Sequence, residues 1–300
     1  YSLVKLVELG ETDSSKGFSV NSDNECKMLV KQIFDEIKTK DEWLTICHYI
    51  DCFVEAAPEI VLNEIQKQVA DDNSNFWCLF KKRESFLFPT SYCVNIFFAL
   101  EKMLWIEQYC ARIINVLVMI NEKKIEYATS NTPIDTLYKY FCLFYNQGAL
   151  TIEEKQTLFE KIIKDYPYTG KQLVEVLLPS GSRTTVGLLA DFKWKQIEKN
   201  EFENTGNNQN NPIVFVIGLF LREHACTFED WKIIIDNYAL FRIEANKEGI
   251  NLAQQITMLS ENDKLKLCSF ISHKIGHNRQ FANSDWSLSE DILKGLENIY

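Results

Sequence analysis

One stretch constrains the fold of this chain more than any other: PTSYCVNIFFALEKMLWIEQYCARIINVLVMIN, residues 89–121. Cys93, Phe97, Leu100 and Leu104 recur at the three- and four-residue spacing of one buried helix face. Ile113, Val116, Leu117 and Ile120 repeat that spacing in the second half. Each half is apolar over more than a single stripe, so each must be covered on several sides. Two such helices back to back require further helices packed before and after them.

The rest of the chain follows the same period. The segments 24–38, 41–57 and 58–70 read as helices, with Pro58 in the first turn of the third, where proline is tolerated. Pro133, Pro167 and Pro212 open further helical runs, and Thr151 with Glu154 forms a capping box ahead of Leu158, Ile162 and Ile163. Gly148 is a helix stop. Segment 76–88 is aromatic and irregular, with room for one short helical turn. Helices resume over 212–225, 227–241, 250–259, 262–277 and 289–300. Residues 214–220 have strand character, but one strand has nothing to pair with. The expected fold is all-α: stacked helical hairpins forming an α-solenoid or irregular helical repeat array, with no strict repeat period. Its expected organisation is an irregular segment 1–22, a first helical half 23–180, a loop-rich connection 181–211 and a second helical half 212–300. The opening at Tyr1 rather than Met, and the stop at Tyr300 directly after an amphipathic stretch, lead us to expect a piece of a longer protein.

Charge and cysteine usage narrow the function. With 42 acidic and 32 basic side chains the net charge is −10, the reverse of a nucleic-acid-binding footprint. It gives no support for docking on an anionic membrane either. The run 113–120 is too short to span a bilayer, and Glu101, Lys102 and Arg112 interrupt any longer one. Nine cysteines, an odd number without a C-x-x-C pair, lie mostly in apolar helical runs, where a thiol behaves as a small hydrophobe. That usage points to a reducing compartment, the cytoplasm.

No residue set announces a reaction. His273 and His277 have the four-residue spacing of metal ligands, but Lys274 stands where a zincin helix needs Glu, and a polar helix end accounts for them. Cys47 and His48 are adjacent, so on a helix they diverge by about 100°, whereas a thiolate–imidazole pair needs them facing each other, and core packing is the favoured reading. Thr169, Gly170 and Lys171 are similar to the tail of a phosphate loop, yet position 165 is Asp rather than Gly and no strand precedes them. The loop 180–185, SGSRTT, could cradle an anion with Arg183, or serve as a solvated linker. Trp77, Trp105, Trp194, Trp231 and Trp286 are partner anchors on one reading and core residues on the other, which their apolar helical neighbours favour. No cofactor or metal is expected.

Read together, FVEAAPEIVLNEIQKQV (53–69), SYCVNIFFALEKMLWIEQYCARIINVLVMI (91–120), LLP (177–179), FKWK (192–195) and HKIGHNRQFANSDWSLSEDILKGLENIY (273–300) resemble the helical region of large bacterial STAND-type NTPases. These are antiviral or signalling proteins with an upstream effector, a central P-loop ATPase and a long helical C-terminal part. Lys193 and Lys195 stand where that family is expected to carry arginines, and TSNTP (129–133) matches its connection only loosely. The P-loop and effector motifs are absent from this sequence, so the resemblance implies a non-catalytic sensor or scaffold region rather than an enzyme. Its implied partner is a protein ligand, such as a phage structural or packaging protein, or other domains of the parent chain. Partner contacts are expected near Arg183, Lys193, Trp194, Lys195, His273, His277 and Arg279. Two alternatives belong to other classes: a stand-alone α-helical enzyme, which predicts a pocket of converging groups with shifted pKa values, and a structural oligomerisation module, which predicts a large apolar patch.

Overall fold

The computed structural model describes residues 22–82, 91–142, 147–178, 187–188, 192–193 and 212–299. Among the described residues are fifteen α-helices, one 3-10 segment and no strand, so the chain is an all-α array of packed helices. The chain divides into two compact units, 1–159 with 183–204 and 160–182 with 205–300.

The first unit holds α1 (Ser22–Glu36), α2 (Lys40–Cys47), α3 (Ile50–Ala56), α4 (Pro58–Ala70), the 3-10 segment Asn75–Phe80, α5 (Cys93–Met103), α6 (Glu107–Glu122), α7 (Pro133–Phe141) and the start of α8 (Ile152–Asp165). The pair α5 and α6 forms its centre. All eight apolar positions that the spacing assigns to buried faces are 0–1% exposed. Ile96, Ala99, Met103 and Cys110 are buried as well, which is why a single stripe understates this pair. At about 1.5–3 kcal/mol for each large apolar side chain removed from water, this burial is a leading stabilising term. Aromatic rings continue the core: Trp43 meets Phe76 edge-on at 5.1 Å, Phe76 meets Phe80 at 5.4 Å, and Phe80 meets Phe97 at 6.0 Å. Arg112 of α6 reaches α4, donating to Glu59 at 2.7 Å and to Gln66. The expected helix 41–57 is two helices, broken at His48 and Tyr49, where Tyr49 leaves helical geometry (φ −110, ψ 2).

Capping residues set several boundaries. Thr39 with Glu42, Thr132 with Asp135 and Thr151 with Glu154 each form reciprocal side-chain to backbone bonds at a helix start. Such a cap typically contributes about 1 kcal/mol. Lys155 of α8 is buried and donates its Nζ to the carbonyl of Tyr140 (3.0 Å) and to that of Gln147. It thereby satisfies a carbonyl in the last turn of α7 that the helix itself leaves open.

The second unit contains the end of α8, α9 (Pro167–Leu177), α10 (Pro212–Glu223), α11 (Phe228–Asp236), α12 (Tyr238–Lys247), α13 (Leu252–Ile256), α14 (Glu261–Gln280) and α15 (Glu290–Ile299). Its core is built on Trp231, Phe220, Phe241, Leu267, Ile271, Leu293 and Leu296, each no more than 3% exposed. The expected helix 227–241 breaks at Asn237 (φ −115, ψ 28), whose side chain donates back to the Ile233 carbonyl.

Thr169, Gly170 and Lys171 have structural employment here. A Cβ on Gly170 would stand 2.9 Å from Ile163 Cα, so glycine permits the close approach of α8 and α9. Lys171 pairs with Asp230 at 2.9 Å. Asp230 is 4% exposed and caps α11, accepting from the Thr227 N–H and hydroxyl. Burial works to raise its pKa, but the Thr227 hydroxyl and the Lys171 ammonium outweigh it and hold the carboxyl below the usual range. A lowered folded pKa means that the stabilisation is complete above the unfolded value, about 3.9, and is lost as pH falls through the folded one. Asp230→Asn should therefore lower stability by about 1.5–3 kcal/mol at neutral pH. Urea denaturation of both proteins should show that gap holding above about pH 5 and narrowing as the pH falls further. A gap that stays constant with pH would show that the charge of Asp230 contributes nothing.

Candidate interaction surface

The C-terminal half of α14 carries aromatic side chains on a solvent-facing side. His273, His277 and Phe281 follow one another at four-residue steps, which places them on one helix face. The rings of His273 and His277 lie within 15° of parallel, with centroids 6.3 Å apart. Phe281, just past the helix end, sits 5.0 Å from His277. The chain then turns back and lays Trp286 against His277 at 5.2 Å and 29°, and against Phe281 at 5.8 Å. Trp286 is 56% exposed and Phe281 41% exposed.

The return of the chain is held by short-range hydrogen bonds. Asn278, itself buried, accepts the Leu288 N–H at 2.8 Å and donates to the Lys274 carbonyl. Ser287 donates its hydroxyl to the Ala282 carbonyl at 3.0 Å. Arg279 divides its guanidinium between Glu290 (2.8 Å) and Glu297 (2.7 Å), tying α14 to α15. All three groups are exposed, so these pairs contribute orientation more than stability. Lys274 pairs with Asp236 of α11 at 2.6 Å. The aromatic rings are thus exposed yet carried on a braced support, the condition under which a side chain binds without a large ordering cost.

Of the residues singled out from sequence, the structure brings His273, His277 and Arg279 to this one end of α14. Arg183, Trp194 and Lys195 lie outside the described residues. Lys193 is elsewhere, in the first unit, where its ammonium pairs with Asp51 at 3.1 Å and its backbone N–H donates to buried Glu55. Phe281 and the packing of Trp286 against His277 were not read from the sequence. The spacing 273, 277, 281 is a visible signal for Phe281, whereas Trp286 arrives through a turn that no periodicity encodes. Trp231, by contrast, is wholly buried, as its apolar neighbours imply.

The surface offers stacking and edge contacts rather than a reaction centre. Among the described residues no third His, Cys, Asp or Glu joins His273 and His277 as a potential metal ligand. The most strongly perturbed amine belongs to Lys155, whose ammonium burial pulls down to about 7. Its Nζ is engaged by two carbonyls and lies 4.2 Å from the centroid of the Tyr140 ring. Among the described residues no helix is long and apolar enough to cross a membrane. No family model, curated protein or solved structure matches the chain.

Proposed function

We propose that this chain is a non-catalytic helical scaffold that docks a protein ligand through the aromatic face of His277, Phe281 and Trp286. The observation that carries the reading is Trp286: a large indole more than half exposed, stacked on His277 and held by a hydrogen-bonded turn. Aromatic side chains dominate the energetics of protein interfaces, and braced ones do so most effectively. An array of packed helices supports this role, because its surface can vary while the core stays apolar. The sequence resemblance to STAND-type helical regions extends the proposal. On that reading the chain is the cytoplasmic sensor region of a bacterial defence or signalling protein, and its ligand is a phage structural or packaging protein.

The test is a binding panel of purified phage portal, capsid, tail and packaging proteins, read by biolayer interferometry. One member should bind the native chain, and Phe281→Ala and Trp286→Ala should each weaken it about 30-fold, the equivalent of about 2 kcal/mol for an interface anchor. Both positions are exposed, so circular dichroism and the thermal midpoint should stay close to native. Binding that survives both substitutions would remove this surface from the interface, and silence across the panel would remove the phage-sensor reading.

A further inference from the structure

A second feature lies in the first unit, independent of the aromatic face. The 3-10 segment, the residues on either side of it and the residues that follow α6 line an open surface cleft of about 510 Å³, within the range of small-molecule sites. Trp77 and Phe80 form its aromatic side, and Lys81, Lys82 and Lys123 its cationic one. The Trp77 indole is fixed: its Nε1 donates to the Asp71 carbonyl at 2.8 Å, and its ring packs on Phe80 at 5.2 Å and on Phe76 at 6.0 Å. Lys123 stands with its ammonium 5.7 Å from the indole centroid, so a cation and an aromatic ring are already paired at the cleft wall.

The charges favour an anion. Asp72 is neutralised by Lys123, a pair whose carboxylate side chain is 73% exposed. Lys81 and Lys82 are exposed and form no ion pair among the described residues, and Glu126 is the other carboxylate of the described lining. An incoming anion can take the place of the Asp72 carboxylate on Lys123 while drawing on the Lys81 and Lys82 ammonium groups. A purely inorganic anion would leave the aromatic wall unused, and a neutral ring would leave the lysines unused.

We infer that this cleft binds a planar aromatic anion, with the ring system against Trp77 and the anionic group held by Lys81, Lys82 and Lys123. Stacking on an aromatic side chain is tolerant of ring identity, so the class extends from nucleotides to aryl sulfonates and carboxylates. The probes are adenosine monophosphate and 1-anilinonaphthalene-8-sulfonate, with adenosine and inorganic phosphate as the half-ligands. Calorimetry and dye fluorescence should show saturable binding of at least one probe with a Kd below about 1 mM. When adenosine monophosphate is that probe, each half-ligand should bind at least about ten-fold more weakly. The double substitution Lys81→Gln with Lys82→Gln should weaken the bound probe about ten-fold or more without changing the circular dichroism spectrum. Raising the salt concentration should weaken it too. Failure of both probes to saturate, or equal binding by the double variant, would overturn the assignment.

Discussion

Lys102→Met should destabilise the first unit by about 3–5 kcal/mol, the range for removing one partner of a buried ion pair. Lys102 sits in the apolar helix α5, and its side chain is only 4% exposed. It is matched by Glu55 of α3 at 2.6 Å, whose side chain is fully buried, and by Asp51 one turn earlier. Lys193 adds a second ammonium on Asp51, and its backbone N–H donates to Glu55 at 3.0 Å. Two carboxylates and two ammonium groups therefore balance across α3, α5 and the 192–193 segment. Methionine preserves most of the volume of lysine but takes the Lys102 ammonium away from the buried Glu55 carboxylate, and the weaker compensation of that desolvated charge is the source of the loss. Urea denaturation with circular dichroism should show a lower midpoint at an unchanged m-value. A double variant, Lys102→Met with Glu55→Met, should recover much of the stability, because an apolar pair of similar size replaces the ionic one. If the double variant is no better than the single, the loss lies in packing rather than in stranded charge.

The other large effect is expected at Gly148. Its φ of 83° lies in the left-handed region, where a β-carbon costs about 1–2 kcal/mol. The space is also taken. A Cβ there would run into the Tyr140 ring and stand 2.8 Å from the Leu104 carbonyl oxygen, which already accepts the Ala149 N–H at 3.0 Å. Tyr140 is wholly buried, and the Lys155 ammonium lies over its ring, so it has little freedom to retreat. Gly148→Ala should therefore lose about 2–4 kcal/mol, backbone strain and overpacking together. Gly249 supplies the control, with a φ of 69° and nothing within 4 Å of an added Cβ. Gly249→Ala should lose only the strain, about 1–2 kcal/mol. Equal losses at the two positions would show that the crowding around Gly148 is relieved by local movement.

These two sites show where reading a sequence succeeds and where it stops. Gly148 is visible as a helix-stopping glycine, but the Tyr140 ring and Leu104 carbonyl that make it irreplaceable are 8 and 44 residues away. Lys102 and Glu101 are visible as charges interrupting an apolar run. That both are buried follows only from their partners, Glu55 at a separation of 47 residues and Lys139 at 38. On α14, His273 and His277 are legible as a four-residue pair, while their place beside Trp286 depends on the turn held by Asn278 and Ser287. The tail-of-a-phosphate-loop similarity at Thr169–Lys171 has a packing explanation that needs Ile163 and Asp230 in position.

What the sequence determined by itself is local and periodic. The spacing of apolar residues specified helices, their buried faces and an all-α class, and Thr-x-x-Glu and proline signals located several starts, because each of these depends on residues within one or two turns. The tertiary structure decided which charges are buried, where helices break at Tyr49 and Asn237, which tryptophans face solvent and where lysines gather beside an indole. Those outcomes depend on side chains meeting across tens of residues of chain, a matching that helical periodicity does not encode.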